Sequence, residues 1–495
     1  MKGHLRAGSF GYATWLLGII LFLGSGYFYQ DPEWNGNSRL GLIRAVVERG
    51  TLQIDAFHDA PGWTTGDKAF FNGHYYSDKA IGASLLGLPV YFGLHQVGFM
   101  LHLPLAPETS KHVLTTAVMA TSFTVMGLAA YSIARRISRN PWKSLLATLT
   151  LCFGTMLWPY SAVFYGHLPA ACFLILTFAI LMRLGSDEEA DMSRLWFYAG
   201  LAAGMAFLSD YTSALILAGL GAYGVHVLRA HDIGGKIRTA WPAIPGLLIP
   251  LALLFAYNVA IFGRPLEFGY AYEVEEKFQE IMGVGIMGIR LPALGAAYHI
   301  SLDPKFGLFW LSPVLLLAPV GFVQALRADD HRAESLLSAY AFASMFLMNA
   351  SHVGWWAGST FGPRYLLPAL PFFIVPLAAL PDRLSKIFYV LGLLSVANML
   401  IPLLGQIQFT RLEFKSDRGG YFVGGAPFHG FSILHEYGVP QISRQLEAGQ
   451  PAWTLGSAVG LPFWPGAAAL FAIEAALIMV WRRLLTRELA SVHVE

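Results

Sequence analysis

Residues 11–29 read GYATWLLGIILFLGSGYFY, an apolar stretch without a charged side chain. A helix that crosses a membrane needs about 20 mostly apolar residues, so this stretch predicts a transmembrane helix. Similar runs follow at 110–134, 143–160, 167–183, 195–209, 211–229, 241–262, 306–326, 335–349, 365–380, 387–405 and 462–481. We therefore predict an all-α polytopic membrane protein, a single integral membrane domain over residues 1–495 with about 12 transmembrane helices.

The composition supports this class and excludes others. Of the 495 residues, 55% are hydrophobic and 13% are charged, and the mean hydropathy is +0.51. A soluble domain carries about 25% charged residues, so this chain has too few to cover a soluble surface. The net charge of +2 offers no basic excess for nucleic acid. The two cysteines, Cys152 and Cys172, lie in apolar runs and exclude a disulfide framework.

The charged connections between the runs predict the orientation. Most of the short connections are rich in Lys and Arg, and such loops stay in the cytoplasm. The long segments then face outward: a first outer loop with juxtamembrane helices at 30–103, and further outer loops at 263–305 and 406–461. If 81–103 crossed the membrane, the alternation would fail, so we predict that it stays on the outer side. The expected location is the cytoplasmic (inner) cell membrane, with the active site facing outward.

Two acids follow the first apolar run directly. Asp31-Pro32-Glu33 stands where a membrane cavity would open, and a carboxylate there is a candidate general base. The same order is also typical of a helix start, with Asp as the cap and Pro in the first turn, and the two interpretations are compatible. Further on, Leu40, Ile43 and Val47 recur at helical spacing after Asn37-Ser38, which predicts a short surface helix capped there.

A lysine follows a polar, aromatic turn at the end of the same loop. Tyr76-Ser77-Asp78-Lys79 precedes the apolar stretch 81–103, so Lys79 is expected at the depth of the lipid head groups. A lysine there is suited to a phosphate, and equally to anchoring the end of a helix. The acids Asp55, Asp59 and Asp67 of this loop have no local pattern that separates them from solvated carboxylates.

A third set of candidates lies at the outer mouths of later runs. Arg364 opposes the inward bias of basic residues, so it requires a carboxylate or an anionic ligand as partner. Tyr365 and His352 are nearby candidates for hydrogen bonds to a substrate. Trp355 and Trp356 suit either a membrane-interface belt or a sugar platform. His167 opens its run as a further candidate for substrate binding, and Asp210 stands in a tight outer turn where it can cap the next helix.

These motifs together resemble the GT-C superfamily of polyprenyl-phosphate-dependent glycosyltransferases. Within it, the chain looks closest to bacterial relatives of protein O-mannosyltransferases and of the lipid A aminoarabinose transferase. Asp31-Pro32-Glu33 resembles the acidic motif after the first helix, Tyr76-Ser77-Asp78-Lys79 an aromatic-x-x-Lys turn, and Gly362-Pro363-Arg364-Tyr365 a late Arg-Tyr pair. The resemblance implies a GT-C-like bundle in which Asp31 and Glu33 are catalytic and Lys79, Arg364 and Tyr365 bind the donor phosphate.

The resemblance also implies a reaction. A hexosyl- or pentosyltransferase would move a sugar, with inversion, from a polyprenyl-phosphate donor to a hydroxyl of a lipid, glycan or protein acceptor. No cofactor is implied with certainty. His167 stands where several family members carry an acid, so only one loop supplies carboxylates and a divalent metal is not indicated. The alternative function is a transporter or flippase of lipid-linked sugars, whose polar residues would concentrate inside the spans.

Overall fold

The computed structural model describes residues 11–103, 105–185, 191–229, 239–304, 306–358, 360–407, 442, 454–458 and 460–492. Helices dominate this part of the chain, and the predicted outer loop 406–461 lies mostly outside it. In chain order the helices are α1 (Tyr12–Gly26), α2 (Glu33–Arg49), α3 (Gly82–Met100), α4 (Pro107–Ser138), α5 (Pro141–Phe153), α6 (His167–Leu184), α7 (Met192–Ser209), α8 (Tyr211–Arg229), α9 (Ala243–Phe262), α10 (Glu276–Met282), α11 (Leu294–Ser301), α12 (Pro313–Arg327), α13 (Arg332–Ser351), α14 (Arg364–Ala378), α15 (Asp382–Leu404) and α16 (Phe463–Val492).

The all-α membrane fold class is confirmed. Eleven of the twelve apolar runs coincide largely with helices, and 143–160 does so in its first part. Six helices in the described residues are long and apolar enough to cross a membrane: Pro107–Ser138, His167–Leu184, Tyr211–Arg229, Ala243–Phe262, Asp382–Leu404 and Phe463–Leu484. Three shorter apolar helices, Tyr12–Gly26, Pro313–Arg327 and Arg364–Ala378, accompany them. The number of twelve spans stays a prediction.

Run 143–160 is helical only in its first part. Helix α5 ends at Phe153, and Pro159 begins a short 3-10 turn that ends at Ala162. The chain between α5 and α6 is fully buried, with Trp158, Tyr160 and Tyr165 among the largest side chains shielded from solvent. Its apolar composition therefore reflects a buried connection under the outer loops as well as a membrane helix.

The first outer loop is ordered by α2 and by a β-hairpin. Helix α2 begins at Glu33, so the predicted start at Asn37-Ser38 is wrong: these two residues are buried inside the helix. Strands Ala69–Phe71 and His74–Tyr76 pair in antiparallel register around Asn72-Gly73, both of which have positive φ angles. Asn-Gly adopts such a turn readily, which explains the tight reversal.

The segment 81–103 forms helix α3, which packs along α2. Close contacts are made at its glycines, because a Cβ atom at Gly87 would lie 2.6 Å from Ile43 and one at Gly82 would lie 2.6 Å from the Ser209 backbone nitrogen. Its second half exposes Phe92, Phe99 and other apolar side chains. An apolar face without charges fits the predicted juxtamembrane position, which stays a prediction.

Candidate active site

Asp31 follows an anchored glutamine. The Gln30 backbone N–H donates to Ala162 O at 2.8 Å, and its side-chain amide donates to Pro402 O at 2.7 Å. The Gln30 side-chain oxygen accepts the Ile407 N–H at 2.8 Å. Because Gln30 is tied to three distant segments, the backbone that carries Asp31 is fixed relative to the bundle.

The Asp31 carboxylate has two defined contacts and remains half-exposed, with 55% of its side chain accessible. One oxygen accepts the backbone N–H of Glu33, the first residue of α2, at 2.9 Å, although the N-cap position is Pro32 and not Asp31 as the alternative interpretation of the motif has it. The other oxygen lies 2.7 Å from the Lys111 ammonium. Its position is therefore compatible with the predicted cavity carboxylate, but not with the predicted cap.

A cleft of about 270 Å³ opens beside this carboxylate. It is lined by Asp31, Glu33, Trp34, Asn37, Gly62, Thr64 and Lys111. Burial and the negative charge of Asp31 raise the pKa of Glu33. Glu33 is therefore less readily ionised than an ordinary glutamate, which weakens it as a candidate for a charged base.

Lys79 lies in a buried cluster of acids. Its ammonium pairs with Asp78 and lies 3.1 Å from Asp67. Burial alone would lower the pKa of Lys79, but Asp67, Asp78 and Glu273 raise it well above its usual value. Burial also opposes ionisation of Asp78, yet Lys79 holds the pKa of Asp78 below its usual value. Lys79 is thus charged, and its charge is offset by neighbouring carboxylates.

Arg364 has a different environment. Its guanidinium lies over the Tyr165 ring at 5.2 Å, and its Nε is buried without a hydrogen-bond partner. Among the residues that the structure describes, no carboxylate lies within ion-pair distance of Arg364. A half-buried arginine whose Nε is shielded and unused is suited to an anionic ligand.

Tyr365 lies between the two predicted histidines. Its ring centroid is 6.1 Å from that of His167 and 5.4 Å from that of His352, in edge-to-face geometry. His167 pairs with Asp210 at 2.6 Å, and Asp210 also accepts the Thr212 N–H at 3.0 Å, as a helix cap does. His352 accepts the Gly354 N–H at 3.0 Å.

The structure brings most of these groups into one buried region. Asp67 lies 3.1 Å from the Lys79 ammonium and within electrostatic range of Arg364. Asp31 and Glu33 occupy the neighbouring cleft, whose lining includes neither Lys79 nor Arg364. The two regions adjoin at Thr65, whose Oγ1 donates to Trp34 O at 2.8 Å and accepts the Asp67 N–H at 3.1 Å.

The remaining predicted residues make packing contacts. Tyr76 belongs to the hairpin and lies against Phe262, with 6.4 Å between the ring centroids. Trp355 stacks on His299 at 5.1 Å and meets Trp356 edge-to-face at 5.7 Å. These contacts favour a structural role for Tyr76, Trp355 and Trp356, and they occupy one face of Trp355 that a sugar would need.

Sequence reasoning missed three charged residues of this region, Lys111, Glu273 and Arg39. It named Asp67 but did not separate it from solvated carboxylates. Arg39 is buried in α2, where it donates to the Asn35 side-chain oxygen at 2.6 Å. Glu273 comes from the segment 263–305, and its backbone forms an isolated antiparallel β-bridge with Ala69. No local motif marks these residues. The one sequence feature that could mark them is a charged residue beside a long apolar segment, and this feature does not show which residue each charge pairs with.

A metal ion was not indicated by the sequence. In the described ranges, no group of three or more His, Cys, Asp or Glu side chains is arranged to hold one.

No protein-family model matches the chain, and no curated protein matches it. Solved structures of two proteins are among those similar to it. ArnT from Cupriavidus metallidurans bound to undecaprenyl phosphate has 15% identity and a TM-score of 0.46, over 79% of this chain and 64% of that one. The oligosaccharyltransferase AglB from Archaeoglobus fulgidus, in complex with an inhibitory peptide and a dolichol-phosphate, has 13% identity and a TM-score of 0.42, over 79% and 55%.

The chain spans less than two thirds of the length of either protein. Values of this size describe a distant likeness of the backbone and say nothing of the individual site residues.

Proposed function

We propose that this protein is a membrane glycosyltransferase that moves a sugar from a polyprenyl-phosphate donor to an acceptor hydroxyl at the outer face of the inner cell membrane. The observation that carries the proposal is the Asp31 carboxylate. It is half-exposed in a cleft at the end of the first apolar helix, on a backbone that Gln30 anchors. A general base needs this combination of fixed position and access to substrate.

In the proposed reaction Asp31 takes the proton of the acceptor hydroxyl. The acceptor oxygen forms a bond to the anomeric carbon while the bond from that carbon to the phosphate oxygen breaks. The electron pair leaves on the lipid phosphate, and the proton remains on Asp31. A single displacement of this kind inverts the anomeric centre. Glu33 lies beside Asp31 and completes the acidic rim of the cleft.

The phosphate that leaves as an anion requires positive charge in a fixed position. Arg364 is the leading candidate because its Nε is buried and unused, and Tyr365 adjoins it. Lys79 contributes to the positive potential of the same region, but a phosphate must compete with Asp67 and Asp78 for its ammonium. His167 and His352 flank Tyr365 and complete the proposed donor site.

The acceptor hydroxyl belongs to a lipid, a glycan or a protein, and the transferred sugar is a hexose or a pentose. The proposal places the long segments 30–103 and 263–305 outside the membrane, where they would enclose both substrates. The part of 406–461 outside the described residues is assigned to the same side on its sequence alone.

The test is transfer of radiolabel by Asp31→Asn in membranes of the native cell. The donors are a panel of undecaprenyl phosphates that carry tritium-labelled hexoses or pentoses. We expect a loss of roughly 10²–10⁴-fold in turnover, the usual contribution of a general base. Asp59→Asn is the control, because Asp59 is an exposed acid of the same loop, and it should keep wild-type activity. Full activity of Asp31→Asn would remove the base assignment.

A further inference from the structure

Lys111 is a buried lysine that no sequence motif marks. It lies in the first turns of α4, and its side chain is only 2% exposed. Its ammonium lies 2.7 Å from one Asp31 oxygen and 5.4 Å from the centroid of the Trp63 ring. Within the described ranges, Asp31 is the ion-pair partner of Lys111. A lysine in such surroundings depends on this carboxylate to compensate its charge.

Lys111 and Asp31 differ in their exposure to solvent, and the difference leaves the carboxylate accessible to a substrate. Lys111 is enclosed, whereas Asp31 keeps more than half of its side chain accessible at the cleft. The second Asp31 oxygen is held by the Glu33 backbone N–H at 2.9 Å. Two donors from different helices, α2 and α4, therefore restrict the rotation of the carboxylate, while lone pairs remain available on the cleft side.

We propose that Lys111 is a positioning residue that holds the Asp31 carboxylate for proton abstraction; this inference rests on the proposed function. When Asp31 accepts the proton, its negative charge is neutralised and the Lys111 charge becomes uncompensated. The net charge of the pair rises by one as the leaving phosphate gains negative charge. The contribution of the ion pair is therefore to orient the base before the step, because the lost compensation of Lys111 opposes the proton transfer itself.

Lys79 does not position the Asp31 carboxylate. Its ammonium is shared between Asp67 and Asp78, and its aromatic neighbours are Tyr270 and Phe278 at 5.5 and 6.0 Å. Neither acid lines the cleft. Lys111 and Lys79 therefore have separate tasks, Lys111 at the base and Lys79 in the buried cluster beside the proposed donor site.

The test compares Lys111→Met with Lys111→Arg in the labelled-donor assay. Met fills similar space without charge, and Asp31 stays solvated in the cleft, so the variant should fold. We expect kcat to fall about 100-fold, the cost of a displaced catalytic group, with KM for the donor within threefold of wild type. Lys111→Arg keeps the positive charge, and its kcat should be at least tenfold higher than that of Lys111→Met. Lys68→Met, which changes a largely buried lysine that pairs with Asp59 outside the cleft, is the control and should retain kcat.

A double variant keeps the test decisive. In an Asp31→Asn background, Lys111→Met should cause no further fall in kcat, because the residue it positions is already disabled. Lys111→Gln, which keeps a hydrogen-bond donor, replaces Met if that variant does not fold. The inference is overturned if the Lys111 variants keep kcat within threefold of wild type, or if they raise the donor KM at unchanged kcat, as loss of a phosphate ligand would. An active Lys111→Met beside an inactive Asp31→Asn contradicts this inference alone, whereas an active Asp31→Asn contradicts the proposed function.

Discussion

Glu273 is a buried carboxyl that lies against two other acids and one cation. Asp78, whose carboxylate pairs with Lys79, lies beside it, and Asp67 adds a second negative charge nearby. Burial and these acids raise the pKa of Glu273 far above its ordinary value of 4.5. Folding therefore favours the protonated form of this residue. The second outer loop carries Glu273, so its attachment to the first loop should respond to pH.

We predict that Glu273→Gln stabilises the protein at alkaline pH. In the wild type, an acid whose pKa is raised by folding supports stability below its ordinary pKa of 4.5, and this support is lost as the pH rises towards the folded-state value. The glutamine side chain of the variant imitates the protonated form at every pH. The expected gain at pH 8 is on the order of 1–2 kcal/mol, with little change at pH 5.

Thermal unfolding in detergent between pH 5 and pH 8 measures this difference. Glu276→Gln is the control, since Glu276 is an exposed acid in the same loop. Parallel loss of stability in the wild type and in Glu273→Gln over this range would contradict the assignment.

Local motifs identified part of the proposed site, because the position of some residues in the chain is itself unusual. Asp31 follows an apolar run and Arg364 opposes the charge bias of its loop, so both stand out in the sequence. Lys111 and Glu273 do not, because their significance comes from partners 80 or more residues away, Asp31 and Asp78. A residue's role in an ion pair requires the tertiary structure.

At the scale of elements, α3 is fixed by close approach at its first residue. A Cβ atom on Gly82 would lie 2.4 Å from Ser209 Oγ and 2.7 Å from Ser209 Cα. Backbone atoms cannot retreat as a flexible side chain can, so α3 must stay near α7 at this point. Ser84 Oγ strengthens the contact with α2 by donating to Arg39 O at 3.1 Å.

We predict that Gly82→Ala destabilises the protein by about 1–3 kcal/mol, the usual cost of overpacking. Gly93→Ala on the same helix is the matched control, because its added Cβ would meet no atom within 4 Å. That substitution should be neutral or stabilising by up to about 1 kcal/mol, since alanine favours helix. Unfolding in detergent compares the two. Equal stability of both variants would show that α3 is not held at Ser209.

Apolar periodicity predicted the helices well and their interruptions poorly. The runs 110–134 and 167–183 correspond closely to α4 and α6, because continuous apolar sequence favours helix in a membrane. Run 143–160 does not, since Trp158 and Tyr160 bond to Gly24 O and Phe361 O at 2.8 and 2.9 Å. A buried connection satisfied by such bonds has the same composition as a span.

At the scale of the whole molecule, the proposed site is assembled from distant segments. Gln30 links the first helix to Leu403 and Ile407, the hairpin meets the second outer loop at Ala69 and Glu273, and Phe28 pairs with Thr454 as an isolated bridge. Charged residues are few along the apolar helices and are gathered at their ends. This arrangement favours chemistry at the edge of the bundle over a polar path through its middle, which a transporter would need.

The central claim is that the donor is cleaved in a transfer reaction for which Asp31 is the general base. The most direct measurement is release of free undecaprenyl phosphate from the labelled donors in proteoliposomes supplied with native acceptor membranes. We predict that the wild type releases lipid phosphate in step with sugar transfer, and that Asp31→Asn leaves the donor intact. Movement of intact donor to the opposite leaflet without release would contradict the claim and indicate a flippase.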